Sequence, residues 1–116
     1  MNKPVGPYTP AVRVGNLLVI SGQIGLENGS LIVGGLKAEL PQALLNLHNL
    51  LEQEGCLLTD VFKTTVFMTD INDYNQMNEL YCKVFGDHRP ARSAVAVSAL
   101  PIGACVEIEA WASLIG

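Results

Sequence analysis

Positive charge is nowhere concentrated in this 116-residue chain. Seven Lys and Arg stand against eleven Asp and Glu, a formal net charge of −4. A nucleic-acid partner is therefore not expected, because neutralising phosphates needs a basic stripe. Cysteine is also scarce: Cys56, Cys82 and Cys105 are odd in number and lack Cys-x-x-Cys spacing. A disulfide framework and a thiolate zinc site are excluded on that count, and a reducing, cytoplasmic setting is expected. His48 and His88 lack ligand spacing, so no metal is expected and both are predicted on the wet surface. No apolar run is long enough to span a bilayer, and Met1-Asn-Lys-Pro4 does not lead into an apolar leader segment. No membrane role follows.

What the chain does have is apolar material. Hydrophobic residues make up 49% and charged residues 16%, enough for the core of one domain over residues 1–116. The same balance predicts apolar surface that another subunit covers.

Periodicity divides the chain. Ala11–Val14 and Leu17–Ser21 flank a two-residue Gly15-Asn16 turn and read as a hairpin. A second turn falls at Glu27-Asn-Gly-Ser30, before the short run Leu31–Val33. Residues 37–54 predict a helix, with Leu40, Ala43, Leu44, Leu47, Leu50 and Leu51 on one stripe and Pro41 in the first turn. Val61–Met68 predicts a strand, with Phe62, Thr64, Val66 and Met68 on one face. Residues 71–85 predict a second helix, N-capped by Asp70, burying Ile71, Tyr74, Met77, Leu80, Tyr81, Val84 and Phe85. Two strands over Ala91–Val97 and Cys105–Ala112 close the chain. The sum is an α+β fold: a mixed sheet of five or six strands with two helices on one face.

The last two strands carry the chemistry. Charges rarely sit among apolar strand residues without a partner or a task. Alternation puts Ser93, Val95 and Val97 on one face, and Arg92, Ala94 and Ala96 on the other. It likewise separates Val106 and Ile108 from Glu107, Glu109 and Trp111. If the valines face the core, Arg92 and Glu107 share the opposite, open face. A planar guanidinium suits a carboxylate ligand, and a nearby carboxylate suits proton transfer. A plain salt bridge on the sheet surface is the competing account of the pair.

Pro90-Ala-Arg-Ser93, the following Leu100-Pro101 and Val106-Glu-Ile-Glu-Ala110 resemble the signature of the RidA/YjgF family, the reactive intermediate deaminases. Gly6-Pro-Tyr8, Ser21-Gly-Gln-Ile24, Lys63-Thr-Thr-Val-Phe67 and Asp70-Ile-Asn-Asp73 extend the resemblance over nearly the whole chain. The resemblance implies a chorismate mutase-like fold and a homotrimer with sites at subunit interfaces. It implies hydrolysis of 2-imino acids to 2-oxo acids and ammonia without cofactor or metal. Arg92 then binds the substrate carboxylate, Glu107 positions water and Tyr8 lies over the pocket. Ser21, Gly22, Asn78 and the main chain of Ala94 line it.

The chain departs from the family pattern at Ala94, where many members have cysteine, and in a shorter loop before Pro90 that ends in Arg89. Arg89 is expected either in solvent or as a second cation at the pocket mouth. Alongside the deaminase stands another reading: a pocket that binds 2-oxo acids or amino acids without turnover. Both readings need Arg92, and only the enzyme needs Glu107.

Overall fold

The computed structural model describes residues 3–115; Met1, Asn2 and Gly116, the ends of the expected domain, lie outside the described residues. Strands β1 (Ala11–Val14) and β2 (Leu17–Gln23) form the expected hairpin. Strands β3 (Leu26–Glu27) and β4 (Ser30–Leu31) form a ribbon of their own. Asn28 and Gly29 both have positive φ, the requirement of a tight two-residue turn that Asn-Gly meets at low cost. The Leu31–Val33 run therefore does not join the main sheet.

Helix α1 (Leu36–Gln53) is followed by β5 (Val61–Met68), α2 (Tyr74–Phe85), β6 (Ala91–Ala96) and β7 (Val106–Ser113). The main sheet has five strands in the order β1-β2-β7-β5-β6. β5 and β6 run parallel and the other neighbours antiparallel. α2 is the crossover that parallel β5 and β6 require. Two helices thus pack on one face of a mixed sheet. The core lies between them: Leu40, Leu44, Leu47 and Leu51 of α1, with Met77, Tyr81 and Phe85 of α2, meet Leu18, Ile20, Val66, Met68, Val106 and Ile108.

Several local expectations change. α1 starts a turn earlier than Pro41 needs, at Leu36, with Gly35 as its N-cap, whose carbonyl accepts from the Ala38 and Glu39 N–H groups. Pro41 is therefore inside the helix, and Lys37, whose carbonyl loses its usual donor, is exposed. α2 begins at Tyr74, because Ile71–Asp73 forms a 3₁₀ turn in which Asp70 accepts from the Asn72 N–H at 2.9 Å. Ile71 and Tyr74 are consequently exposed instead of buried. Phe62 is the extra residue of a bulge, since Val61 pairs with Ala112 and Lys63 with Trp111. It points outward while Val61 is buried. His88 is not solvated: its Nε2 lies 2.6 Å from the Val61 carbonyl and its ring tilts against Phe85. Arg89 is exposed, with its guanidinium folded back onto the Gly86 and His88 carbonyls.

Candidate active site

The largest correction concerns Arg92. In parallel register it pairs with Thr64, and Ala94 pairs with Val66. Thr64 and Val66 are fully buried under the helices. Arg92 and Ala94 therefore face α2, and the Ser93/Val95 face is the open one. Glu107 lies on the open face, between buried Val106 and Ile108. Arg92 and Glu107 are thus on opposite faces. The ladder sets Glu107 against Phe67, and Phe67 against Val95. Two strand spacings and three residue rises put their Cα atoms about 14 Å apart in the sheet plane.

Arg92 is held by aromatic and sulfur groups. Its Nη2 donates to the Tyr74 hydroxyl at 3.2 Å, and its Nη1 lies 3.7 Å from the Met77 sulfur. Its Cζ is 5.0 Å from the Tyr81 ring centroid and 5.7 Å from that of Tyr74. Tyr81 is fixed in turn by a buried 2.8 Å hydrogen bond to Thr64 Oγ1. Among the described residues no carboxylate lies within ion-pair distance of Arg92; the ion pairs there join Arg13 to Glu54 and His48 to Glu52. The guanidinium is oriented, half-buried and free to take an anion.

The backbone beside it is also available. Val97 N–H donates to the Met68 carbonyl at 2.7 Å, across β6 and β5. Alternation then turns the N–H and C=O groups of Arg92 and Ala94 to the outer edge of β6, which no strand covers. Asn78 sits on α2 beside Met77, and its Oδ1 is buried without a hydrogen-bond partner.

A second group of residues gathers elsewhere. Tyr8, Ser21, Gly22 and Glu107 line one cavity of about 540 Å³, between residues 3–11, the β2 bulge and the later turns of α1. Ser21 Oγ is buried there without a partner. Tyr8, 42% exposed, lies on the segment leading to β1, its hydroxyl 3.4 Å from the Val5 N–H. Burial pushes the Glu107 carboxyl above its ordinary pKa, and the Glu109 charge adds to the rise. Cys105 is no substitute for the absent cysteine: burial first, then Glu39, pushes its thiol up to about 12, far from thiolate chemistry.

The residues singled out in the sequence thus fall into two half-sites. One holds Arg92, Ala94 and Asn78 along β6 and α2; the other holds Tyr8, Ser21, Gly22 and Glu107. What the sequence reading missed is the cradle of Tyr74, Met77 and Tyr81 around Arg92. Their spacing placed all three on the stripe of α2 that meets the sheet, and the misassigned face of β6 hid the connection.

Comparison with known proteins adds an independent line. The family model described as endoribonuclease L-PSP matches residues 1–114. The human 2-iminobutanoate/2-iminopropanoate deaminase is 48% identical over 110 residues, covering 93% of this chain and 80% of the human one. A RutC family protein of Pyrococcus horikoshii is 46% identical over 112 residues, covering 95% and 89%. The crystal structure of RidA from an Antarctic Psychrobacter superposes with a TM-score of 0.92 at 41% identity, covering 96% of this chain and 91% of that one.

Proposed function

The chain belongs to the RidA/YjgF family, and from that premise we propose that it hydrolyses short 2-imino acids, 2-iminopropanoate and 2-iminobutanoate, to 2-oxo acids and ammonia. The observation that carries the proposal is the pair of partnerless buried polar atoms, Ser21 Oγ and Asn78 Oδ1. Buried polar groups are rarely left unsatisfied, and each belongs to a different half-site. A polar ligand shared between the half-sites gives both atoms a partner.

A three- or four-carbon acid cannot bridge Arg92 and Glu107 across the sheet of one chain. A second copy resolves this. The open sheet face carries Val12, Val95 and Trp111, each at least 40% exposed in the single chain, and apolar surface of this kind is normally covered. We place the β6 edge of one subunit against the Tyr8/Glu107 cavity of the next, in the homotrimer that the family resemblance implies. Arg92 grips the substrate carboxylate with its fork, while the outward main chain of Ala94 braces the molecule. Glu107 holds a water against the imine carbon. As the water oxygen bonds to carbon, Glu107 takes one water proton and passes it to the imine nitrogen, giving the neutral carbinolamine. Glu107 then takes the carbinolamine hydroxyl proton and hands it to the same nitrogen as the C–N bond breaks and the C=O forms, releasing ammonia and the 2-oxo acid with Glu107 again a carboxylate. A carboxyl with raised pKa suits both directions of that transfer. Imines hydrolyse readily in water, so positioned acid–base help of about 10²–10⁴-fold suffices.

Mixing inactive variants tests the split site. Imine is generated in situ by an amino-acid oxidase, and what survives is trapped with semicarbazide. Arg92→Ala and Glu107→Gln each lose imine consumption alone. Co-assembled at equal amounts, they regain about a quarter of wild-type activity, the fraction of junctions that draw both intact halves at random. Absence of activity in the wild type refutes the deaminase and leaves 2-oxo acid binding as the alternative. Wild-type activity without recovery on mixing refutes the split site.

A further inference from the structure

Gly22 is a glycine without a backbone reason. Among the described residues seven glycines have positive φ, and Gly22 is not one of them, so no left-handed backbone requires glycine there. It lies in the β2 bulge, where Ile20 pairs with Ala110 but Gln23 with Ile108. A Cβ built there would fall 2.5 Å from Glu107 Cδ, 2.7 Å from Oε1 and 2.9 Å from Cγ. The space of the missing side chain is filled by the carboxylate of Glu107. Gly25, three residues on, makes the contrast: its Cβ would strike the main chain of Glu39, at Cα and O, both at 2.8 Å. That glycine serves helix–sheet packing. At Gly22 the three nearest atoms all belong to one flexible side chain, that of Glu107.

We infer that Gly22 is a positioning residue for Glu107: the vacancy at its α-carbon is the seat of the carboxylate, and this seat, more than ligand contact, is the reason for glycine here. The inference rests on the proposed reaction only for its kinetic consequence. A carboxylate lying flat on a peptide is shielded from water on one side, which agrees with the direction of its shift. The charged and titratable groups around it are few. Glu109 shares its face of β7, Lys63 lies on the same face of neighbouring β5, and Lys3, Tyr8 and Glu54 line the cavity. β2 contributes only the neutral Ser21 and Gln23, and Arg92 is on the other side of the sheet. None of these cations is in ion-pair contact with Glu107. With no ion-pair partner among the described residues, the seat is what holds the carboxylate in one place.

Gly22→Ala tests the inference, with Glu107→Ala and the double variant as controls. The first readout is the titration of Glu107, followed by carbon-13 NMR of glutamate labelled at the carboxyl. In the wild type the midpoint lies above the ordinary glutamate value; in Gly22→Ala it falls toward that value as the carboxylate swings into water. The second readout is imine hydrolysis. Displacing a reacting group by about 1 Å costs about a hundredfold, so kcat drops by that order while KM stays within about threefold. The acid limb of the pH profile moves with the NMR midpoint. The third readout is thermal unfolding. Gly22→Ala costs little alone and nothing in the Glu107→Ala background, where the seat is empty. An unchanged Glu107 midpoint with unchanged kcat overturns the inference. So does an alanine at position 22 that unfolds the chain with and without the Glu107 side chain, since that marks a backbone requirement. If Gly22→Ala unfolds alone but folds in the double variant, the steric coupling is upheld. A wild type that consumes no imine refutes the proposed reaction, while the titration and the unfolding pair still decide the seat.

Discussion

Replacing Arg92 with alanine separates a ligand-gripping arginine from a structural one, and the structure sets both magnitudes. On the binding side, a bidentate carboxylate–guanidinium contact comprises two charge-assisted hydrogen bonds. At about 1.5–2 kcal/mol net for each, the loss is about 3–4 kcal/mol. That corresponds to about 10²–10³-fold in affinity for a 2-oxo acid product and in kcat/KM. On the stability side, no ion pair is broken, because Arg92 has no carboxylate partner among the described residues. What goes is packing over the Tyr74 and Tyr81 rings, about 0.5–1 kcal/mol for each at a partly exposed site. A chain this long has an unfolding entropy of about 0.24 kcal/mol per kelvin, so Tm falls by about 4–8 °C. Had Arg92 been half of a buried salt bridge, the cost would be about 3–5 kcal/mol and the fall about 12–20 °C. Titration calorimetry with 2-oxobutanoate and a thermal scan at fixed protein concentration check both sides. Affinity within twofold of wild type, together with a drop beyond 12 °C, would refute the reasoning outright. Arg92→Lys, which keeps the charge but not the fork, falls between wild type and alanine.

Three further outcomes are expected. Thr64→Val strands the Tyr81 hydroxyl in the core and destabilises by about 1–3 kcal/mol; adding Tyr81→Phe recovers most of the loss, and calorimetric Tm values of the single and double variants check it. Glu107 has a folded pKa above its unfolded value of 4.5, so the folded chain binds more protons in that window. Its contribution is fully present below the unfolded pKa and is lost as pH rises through the folded one. Glu107→Gln therefore matches wild-type stability at low pH and exceeds it above neutrality, read from denaturant midpoints at several pH values; a variant less stable than wild type above neutrality contradicts this. At pH 8 a maleimide labels exposed Cys82 well before Cys105, whose thiol is pushed up to about 12, as peptide mapping by mass spectrometry reports.

Much of this protein is legible without coordinates, for identifiable reasons. The leucine stripe of α1 repeats at helical spacing and lands on the core side as read. Val106, Ile108, Ala110 and Ala112 alternate with polar or bulky neighbours, so the inward face of β7 declares itself. Two-residue turns at Gly15-Asn16 and Asn28-Gly29 follow from local backbone sterics. The candidate site residues follow from the family resemblance, which the short, local motifs around Arg92, Glu107 and Tyr8 carry.

Tertiary structure decided everything that depends on which face is inward. Alternation separates the residues of β6 into two sets but is silent on orientation when each set mixes small apolar with polar residues, as in Ala-Arg-Ser-Ala-Val-Ala. The parallel register against β5, imposed by the α2 crossover, turned Arg92 under the helix and away from Glu107. A one-residue bulge reversed Phe62, and a 3₁₀ turn shifted the start of α2. Gly22 reads in the sequence as one more strand-end glycine; only the carboxylate folded onto it from β7 gives its missing side chain a purpose. Periodicity is a property of one strand, whereas a site made of several strands is set by the pairing between them.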